Sequence, residues 1–177
     1  MRINSGKFRG ANLFLTNLET TRETSDMVRQ AIFNLLPYKD FNDVLDLFAG
    51  SGSMGFEALS RGAQCVYFND LNKKACEIVK KNAIKLKSLD NVRISNMDYK
   101  DYLKSINHKF DFIILDPPYK MDNINEILKD ILDNDLINED GLISFEMNKE
   151  TKVTPIEGLT ILKERVYGIK KVVIYKK

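Results

Sequence analysis

The sequence predicts an α/β fold: a mostly parallel β-sheet with helices on both faces, closed by an antiparallel hairpin at its end. Three observations predict it. Short apolar segments alternate with helix-period segments from Val44 onward. A glycine-rich turn joins the first of these strands to the helix after it. The run Phe112-Ile113-Ile114-Leu115 is apolar at every position, as a strand covered on both faces should be.

Residues 1–15 read as two short strands around a turn. Ile3 and Phe8 are apolar, Ser5-Gly6-Lys7 turns, and Leu13-Phe14-Leu15 can pair back. Residues 1–20 are thus expected to form a hairpin appendage on a single domain spanning 1–177. The polar stretch Thr20 to Asp26 suits a helix N-cap, Val28, Ala31, Ile32 and Leu35 follow helical spacing, and Pro37 stops the helix. Val44 to Leu47 is the first strand of the repeat, and Gly50 to Gly55 turns into a helix carrying Ala58 and Leu59. Cys65 to Phe68 is the second strand, followed by a helix with Ala75, Val79, Ala83 and Leu86 on one stripe. Val92 to Ile94 and Phe112 to Leu115 are the third and fourth strands. Ile124, Ile127, Leu128, Ile131 and Leu132 give the clearest amphipathic helix. Leu142 to Phe145 is a fifth strand, and Leu159 to Val166 with Lys171 to Tyr175 form a hairpin about Tyr167-Gly168.

At 177 residues and 44% hydrophobic composition, one core in one domain is expected. No run of 18 apolar residues predicts a membrane span, and the first residues lack the apolar stretch of a signal peptide. Cys65 and Cys76 have neither C-x-x-C spacing nor histidine partners, so reduced thiols in a cytoplasmic chain are expected. His108, the one histidine, sits in a polar loop where solvent exposure is expected, and no cluster suggests zinc or another metal. There is no Ser-His-Asp set and no Walker lysine. The net charge is only +2, but it is segregated. Six cations and one acid lie between Lys163 and Lys177, whereas ten acids and three cations lie between Asp116 and Thr151. That division suggests a cationic face and an acidic one.

Two motifs carry chemistry. In the first, Asp46-Leu47-Phe48-Ala49-Gly50-Ser51-Gly52-Ser53-Met54-Gly55 leads from strand to helix. Its glycines let the backbone turn tightly and approach a ligand. Asp70, past the second strand, stands where a carboxylate accepts from ribose hydroxyls. Asp46 would repel a dinucleotide's pyrophosphate, but it suits the ammonium and sulfonium of S-adenosylmethionine. Asp98, after the third strand, can accept from an adenine amino group or cap the helix that starts at Tyr99.

The second motif, Asp116-Pro117-Pro118-Tyr119, directly follows the fourth strand. Two successive prolines remove two backbone donors and fix two φ angles. They hold a carboxylate, a carbonyl and an aromatic ring in rigid order at the carboxyl edge of the sheet. An exocyclic base amine is a poor nucleophile because its lone pair is delocalised. The Asp116 carboxylate and Pro117 carbonyl can accept its two hydrogens and favour a pyramidal nitrogen. Tyr119 can stack on a base drawn out of its helix.

With both motifs placed, the sequence resembles the bacterial 16S rRNA guanine-N2 methyltransferases of the RsmD type, which act on the base conventionally called guanine 966. The resemblance rests on Arg2-Ile3-Asn4-Ser5-Gly6-Lys7-Phe8-Arg9-Gly10, on residues Arg22 to Asn34, on Leu45 to Gly52, on Glu57 to Ala63, on the Asp116 to Tyr119 turn and on Tyr167-Gly168. Glu23 replaces that family's usual proline, Met27 replaces a basic residue, and Asn69-Asp70 departs from its usual ending of the second strand. The resemblance implies a Rossmann-like class I methyltransferase sheet of seven strands and S-adenosylmethionine as donor. It implies 16S rRNA or the assembling small ribosomal subunit as partner, and a monomer is expected. It assigns Asp46, Phe48, Gly50, Gly52, Asp70, Leu71 and Asp98 to the cofactor, and Asp116, Pro117, Pro118 and Tyr119 to the target base. Arg2, Lys7, Arg9, Arg22 and Arg29 become candidate RNA contacts.

The alternatives are methylation of adenine N6 in DNA or RNA, methylation of a protein glutamine amide, and a non-catalytic RNA-binding assembly factor. Glutamine-amide enzymes more often carry Asn at the position of Asp116. DNA enzymes usually add a recognition segment for which 177 residues leave no room. An intact Asp116 to Tyr119 turn argues against lost turnover.

Overall fold

A computed structural model describes residues 1–16, 26–37, 40–118, 121 and 124–177. In chain order it contains α1 (Asp26–Leu35), β1 (Asp43–Asp46), α2 (Ser53–Ser60), β2 (Cys65–Asn69), α3 (Lys73–Lys85), β3 (Val92–Ser95), α4 (Tyr99–Ser105), β4 (Phe110–Leu115), α5 (Ile124–Asp133), β5 (Ile137–Asn148), β6 (Thr160–Tyr167) and β7 (Lys170–Lys176). The seven strands form one sheet in the order β3-β2-β1-β4-β5-β7-β6. The first five are parallel, and β7 and β6 add antiparallel. This is the seven-stranded, mostly parallel Rossmann-like sheet that was expected. The chain steps outward from β1 to β3 and then returns to β4 beside β1, with Asp46 opposite Ile114. The strand order reverses there, and open α/β sheets bind ligands outside such a switch point.

Alternate strand residues feed two separate cores. Val44, Val66, Phe68, Phe112 and Ile114 pack beneath α1, α2 and the Val79–Ala83 side of α3. Leu45, Leu47, Ile113, Leu115 and Phe145 pack beneath α4 and α5. The stripe Ile124, Ile127, Leu128 and Ile131 on α5 is buried as its spacing predicts. All eight residues of α2 are buried. This close seating depends on Gly55, where a Cβ would stand 2.2 Å from the Phe68 ring.

Three elements differ from the sequence reading. α4 entered the sequence reading only as one alternative for Asp98, because its apolar positions, Tyr99, Tyr102 and Leu103, are too few to stand out among charged neighbours. β5 begins five residues before the expected Leu142, because the polar Asn138 to Asp140 segment still belongs to the strand. In place of two strands, the N-terminal hairpin has one antiparallel bridge, Arg2 with Asn12, with Ile3 N–H donating to the Ala11 carbonyl, Gly10 N–H to the Ile3 carbonyl and Leu13 N–H to the Met1 carbonyl. Three other donors of the segment reach α2: Lys7 N–H donates to the Ser60 carbonyl, Phe8 N–H to Ser60 Oγ and Asn4 N–H to Glu57 Oε2. Ile3 and Leu13 are 2% and 6% exposed and join the core under α1 and α2. No helix among the described residues is long and apolar enough to cross a membrane.

Two glycines of this segment separate backbone conformation from close packing. Gly10 has φ 85° and open space around it, whereas Gly6 has φ 80° and a Cβ there would lie 1.7 Å from the Ser60 carbonyl oxygen. Gly10→Ala should therefore cost about 1 kcal/mol, the strain of a left-handed alanine. Gly6→Ala should cost about 3 kcal/mol, because the clash is with backbone and adds to that strain. Urea unfolding of both variants measures the difference.

Candidate functional site

The glycine turn is fastened from two sides by carboxylates. Asp46, at the end of β1 and 2% exposed, accepts from Gly55 N–H at 2.9 Å. Asp70, just past β2, accepts from Gly50 N–H through one oxygen and from Asn72 N–H through the other, each at 2.8 Å. Gly50 and Gly52 have φ of 55° and 79°, in the left-handed region where a side chain is strained. Gly52 also caps α2, and a Cβ there would meet the Phe56 ring at 2.9 Å. Both carboxylates thus act structurally. Asp70 retains acceptor capacity, since a carboxylate has about four lone-pair sites.

Beside this turn, the loops after β2 and β3 are sewn together. Asn96 Nδ2 donates to the carbonyls of Asp70 and Leu71, both at 2.8 Å, and Asn69 Nδ2 donates to the Met97 carbonyl at 3.1 Å. The Cys76 thiol reaches the carbonyls of Asp70 and Ser95 at 3.5 and 3.3 Å. Burial pushes that thiol above its ordinary pKa, and the Asp70 charge adds to the shift. Two large apolar side chains stay open on the joined loops, Leu71 at 71% exposure and Met97 at 36%. Asp98 caps α4 by accepting from Lys100 N–H at 2.9 Å. Phe48 leans on Tyr99 with ring centroids 5.6 Å apart. A purine nucleoside fits this arrangement: apolar walls for its base, and a carboxylate beyond β2 for its ribose.

Across the switch point, Asp116, Pro117 and Pro118 line a cavity of about 330 Å³ with Met121 and Ile124 on one side and Glu146, Met147 and Asn148 of β5 on another. Its size suits one planar base. Tyr119 and Arg22, both expected at functional positions, lie outside the described residues. Arg2, Lys7 and Arg9 are exposed on the N-terminal segment. α2 has eight residues, which puts the hairpin's anchor at Ser60 about 12 Å along the helix from the glycine turn.

Arg29, expected to contact RNA, is corrected by its burial. It is 0% exposed, bonds Asp26 Oδ1 at 2.8 Å and the Arg2 carbonyl, and stands 3.5 Å from the buried Glu57 carboxylate. It holds α1, α2 and the N-terminal segment together and offers nothing to an outside ligand. His108, expected in solvent, packs on Tyr67 at 4.9 Å, near Asp43 and on the amino side of the sheet. Sequence reasoning missed Asn69, Asn96 and Cys76 as fasteners, Met97 as a wall, and Glu146 and Met147 in the cavity. Only Glu146 left a signal, an acid continuing an otherwise buried strand. Among the described residues no cluster of His, Cys, Asp or Glu could hold a metal ion.

The family described as Conserved hypothetical protein 95 matches residues 1–176. The chain belongs to this family. A Haemophilus influenzae protein named Ribosomal RNA small subunit methyltransferase D is 38% identical, over 96% of this chain and 90% of its own. A Bacillus subtilis protein designated an rRNA methyltransferase is 37% identical, over 100% of this chain and 99% of its own. A solved Escherichia coli chain designated a methyltransferase superposes with a TM-score of 0.90 at 27% identity, covering 100% of this chain and 97% of that one. With these relatives and the family's fold in place, the chain is a methyltransferase.

The placement of Arg29 has a measurable consequence. Arg29→Ala leaves Glu57 short of its buried partner and should lower unfolding stability by about 3 kcal/mol, the scale of breaking a buried pair from one side. Chemical denaturation measures this, and a change within experimental error would return Arg29 to the surface contacts.

Proposed function

We propose that this methyltransferase transfers the methyl group of S-adenosylmethionine to the exocyclic N2 amine of a guanine in 16S rRNA, free or in the assembling small subunit. A substrate of that kind puts its work in the cytoplasm. One observation carries the reading: a glycine turn ringed by Asp46 and Asp70 lies across the β1/β4 switch point from Asp116-Pro117-Pro118 and a base-sized cavity. The names of the relatives support the rRNA substrate.

When bound, S-adenosylmethionine supplies a methyl group on an electrophilic sulfonium. The chain's residues do the rest. Asp46 sets a negative charge at the aminoacyl end of the donor, and Asp70 offers free lone pairs to ribose hydroxyls. Leu71 and Met97 enclose the adenine, with Asp98 beside its amino group. The Asp116 carboxylate and the Pro117 carbonyl accept the two N–H groups of the target amine. Its lone pair is thereby freed from the ring and aimed at the methyl carbon, which is a positioning effect. The Asp116 carboxylate can also accept the proton the nitrogen loses after transfer. Tyr119 stacks on the flipped base. Arg2, Lys7, Arg9 and Arg22 meet the RNA backbone.

The substrate is tested by mass mapping of methylated guanines in 16S rRNA from cells with and without the protein. In single-turnover transfer of labelled methyl to the unmethylated rRNA or immature subunits, Asp116→Ala should lose ~10²–10³ in rate. Asp116→Asn, which keeps one acceptor, should lose less. Binding of S-adenosylhomocysteine, followed by calorimetry, should persist in both. Wild-type transfer by Asp116→Ala would overturn the mechanism, and wild-type protein that binds RNA yet methylates none would make it an assembly factor.

Ile3 belongs to the core, so charge removal tests the N-terminal contacts better than truncation. Replacing Arg2, Lys7 and Arg9 with Ala together should lower the salt dependence of RNA affinity by about 2 in slope if each meets a phosphate. An unchanged slope would remove this segment from the RNA-binding surface.

A further inference from the structure

The cavity beside Asp116 holds a buried carboxylate that the scheme above does not use. Glu146 lies near the end of β5 and is 4% exposed. Lys170, from the neighbouring β7, donates to its Oε1. Its Oε2 is buried and has no hydrogen-bond partner among the described residues. A carboxylate oxygen shut away from water without a donor is costly to maintain in a folded protein. Lys170 fixes the group's position and compensates its charge, leaving one acceptor with nothing to accept from. Met147 and Asn148 continue the cavity wall past it.

We propose that Glu146 reads the target base, its Oε2 accepting the N1–H of a guanine whose 2-amino group lies against Asp116 and Pro117. The inference rests on the base-methylation reading and narrows it. An acceptor placed next to an amine-binding pair asks for a base edge with a ring N–H beside an exocyclic amine. Guanine has that edge, N1–H next to the 2-amino group. Adenine presents the N1 lone pair beside its 6-amino group, and cytosine presents the N3 lone pair beside its 4-amino group. Either lone pair would face the carboxylate and be repelled. Uracil has a ring N–H but no amine. Of the four bases, only guanine satisfies Glu146 and Asp116 together. A site that hydrogen-bonds a substrate N–H also rejects analogues lacking it strongly, because the buried acceptor is then left unpaired.

The test uses 16S rRNA joined from synthetic pieces, carrying either guanosine or 2-aminopurine riboside at the nucleotide the mapping identifies. 2-Aminopurine keeps the 2-amino group, but its N1 is a bare acceptor. Wild-type protein should favour guanosine by about 10–100-fold in kcat/KM, the range of a hydrogen bond to a charged acceptor. Glu146→Gln keeps the shape and can turn its amide N–H toward N1. It should lose about 10-fold or more on guanosine and narrow the preference to within about threefold, with binding of S-adenosylhomocysteine unchanged. Equal loss on both RNAs, with the preference intact, would make Glu146 structural and overturn the proposal. Should the variant fail to fold, the wild type alone still decides: equal rates on the two RNAs defeat the inference while leaving amine methylation standing. No transfer to the guanosine RNA would sink the guanine reading itself, and this inference with it.

Discussion

The hydrogen bonds from Gly50 and Gly55 to Asp70 and Asp46 are the constraint on which the rest of the ligand edge depends. A turn with two left-handed glycines gains no stability from its own conformation, since each glycine loses more freedom on folding than any other residue. The two carboxylates compensate by fixing the turn to β2 and to the start of α2. Once it is fixed, α2 leaves the turn at a set angle and lies flat on the sheet with all eight residues buried. Gly55 against Phe68 keeps the helix close, and Arg29 and Glu57 join it to α1 and the N-terminal segment. The same turn thus shapes a binding surface and seats α2 in the core beside α1.

Sequence and structure agree where one pattern controls one outcome. The apolar strands, the stripe on α5, the glycine turn and the Asp116 turn were all legible, because each follows from local periodicity or from residues with restricted backbones. Arg29 was misread for a physical reason. Its spacing to the buried Ile32 and Phe33 places it on the inner face of α1, but a cation there is read as exposed unless its buried partner is known, and that partner, Glu57, is 28 residues away in sequence. The N-terminal segment does pair back on itself through the N–H groups of Ile3, Gly10 and Leu13, but those of Asn4, Lys7 and Phe8 reach α2, a partner that no local rule could supply.

The candidate site divides along the same line. Residues that present a backbone turn or a terminal carboxylate could be found from sequence. Those that connect one loop to another could not: Asn69, Asn96 and Cys76 act across gaps of 19 to 28 residues. Their types give no hint, for an asparagine in a loop usually serves its own turn. Glu146 is intermediate. An acid inside a buried strand breaks the expected pattern, and a broken local pattern is where function and fold compete.

The stitching of the β2 and β3 loops has one more consequence. Hydrogen bonds from two asparagines and a thiol hold both walls of the cleft before any ligand arrives. The conformational entropy of ordering those walls is spent when the chain folds. A small molecule entering the cleft surrenders mainly its own translational and internal freedom, and affinity is not diluted by a loop that must first close. A cleft of this kind can exchange a spent ligand for a fresh one without rearranging the backbone.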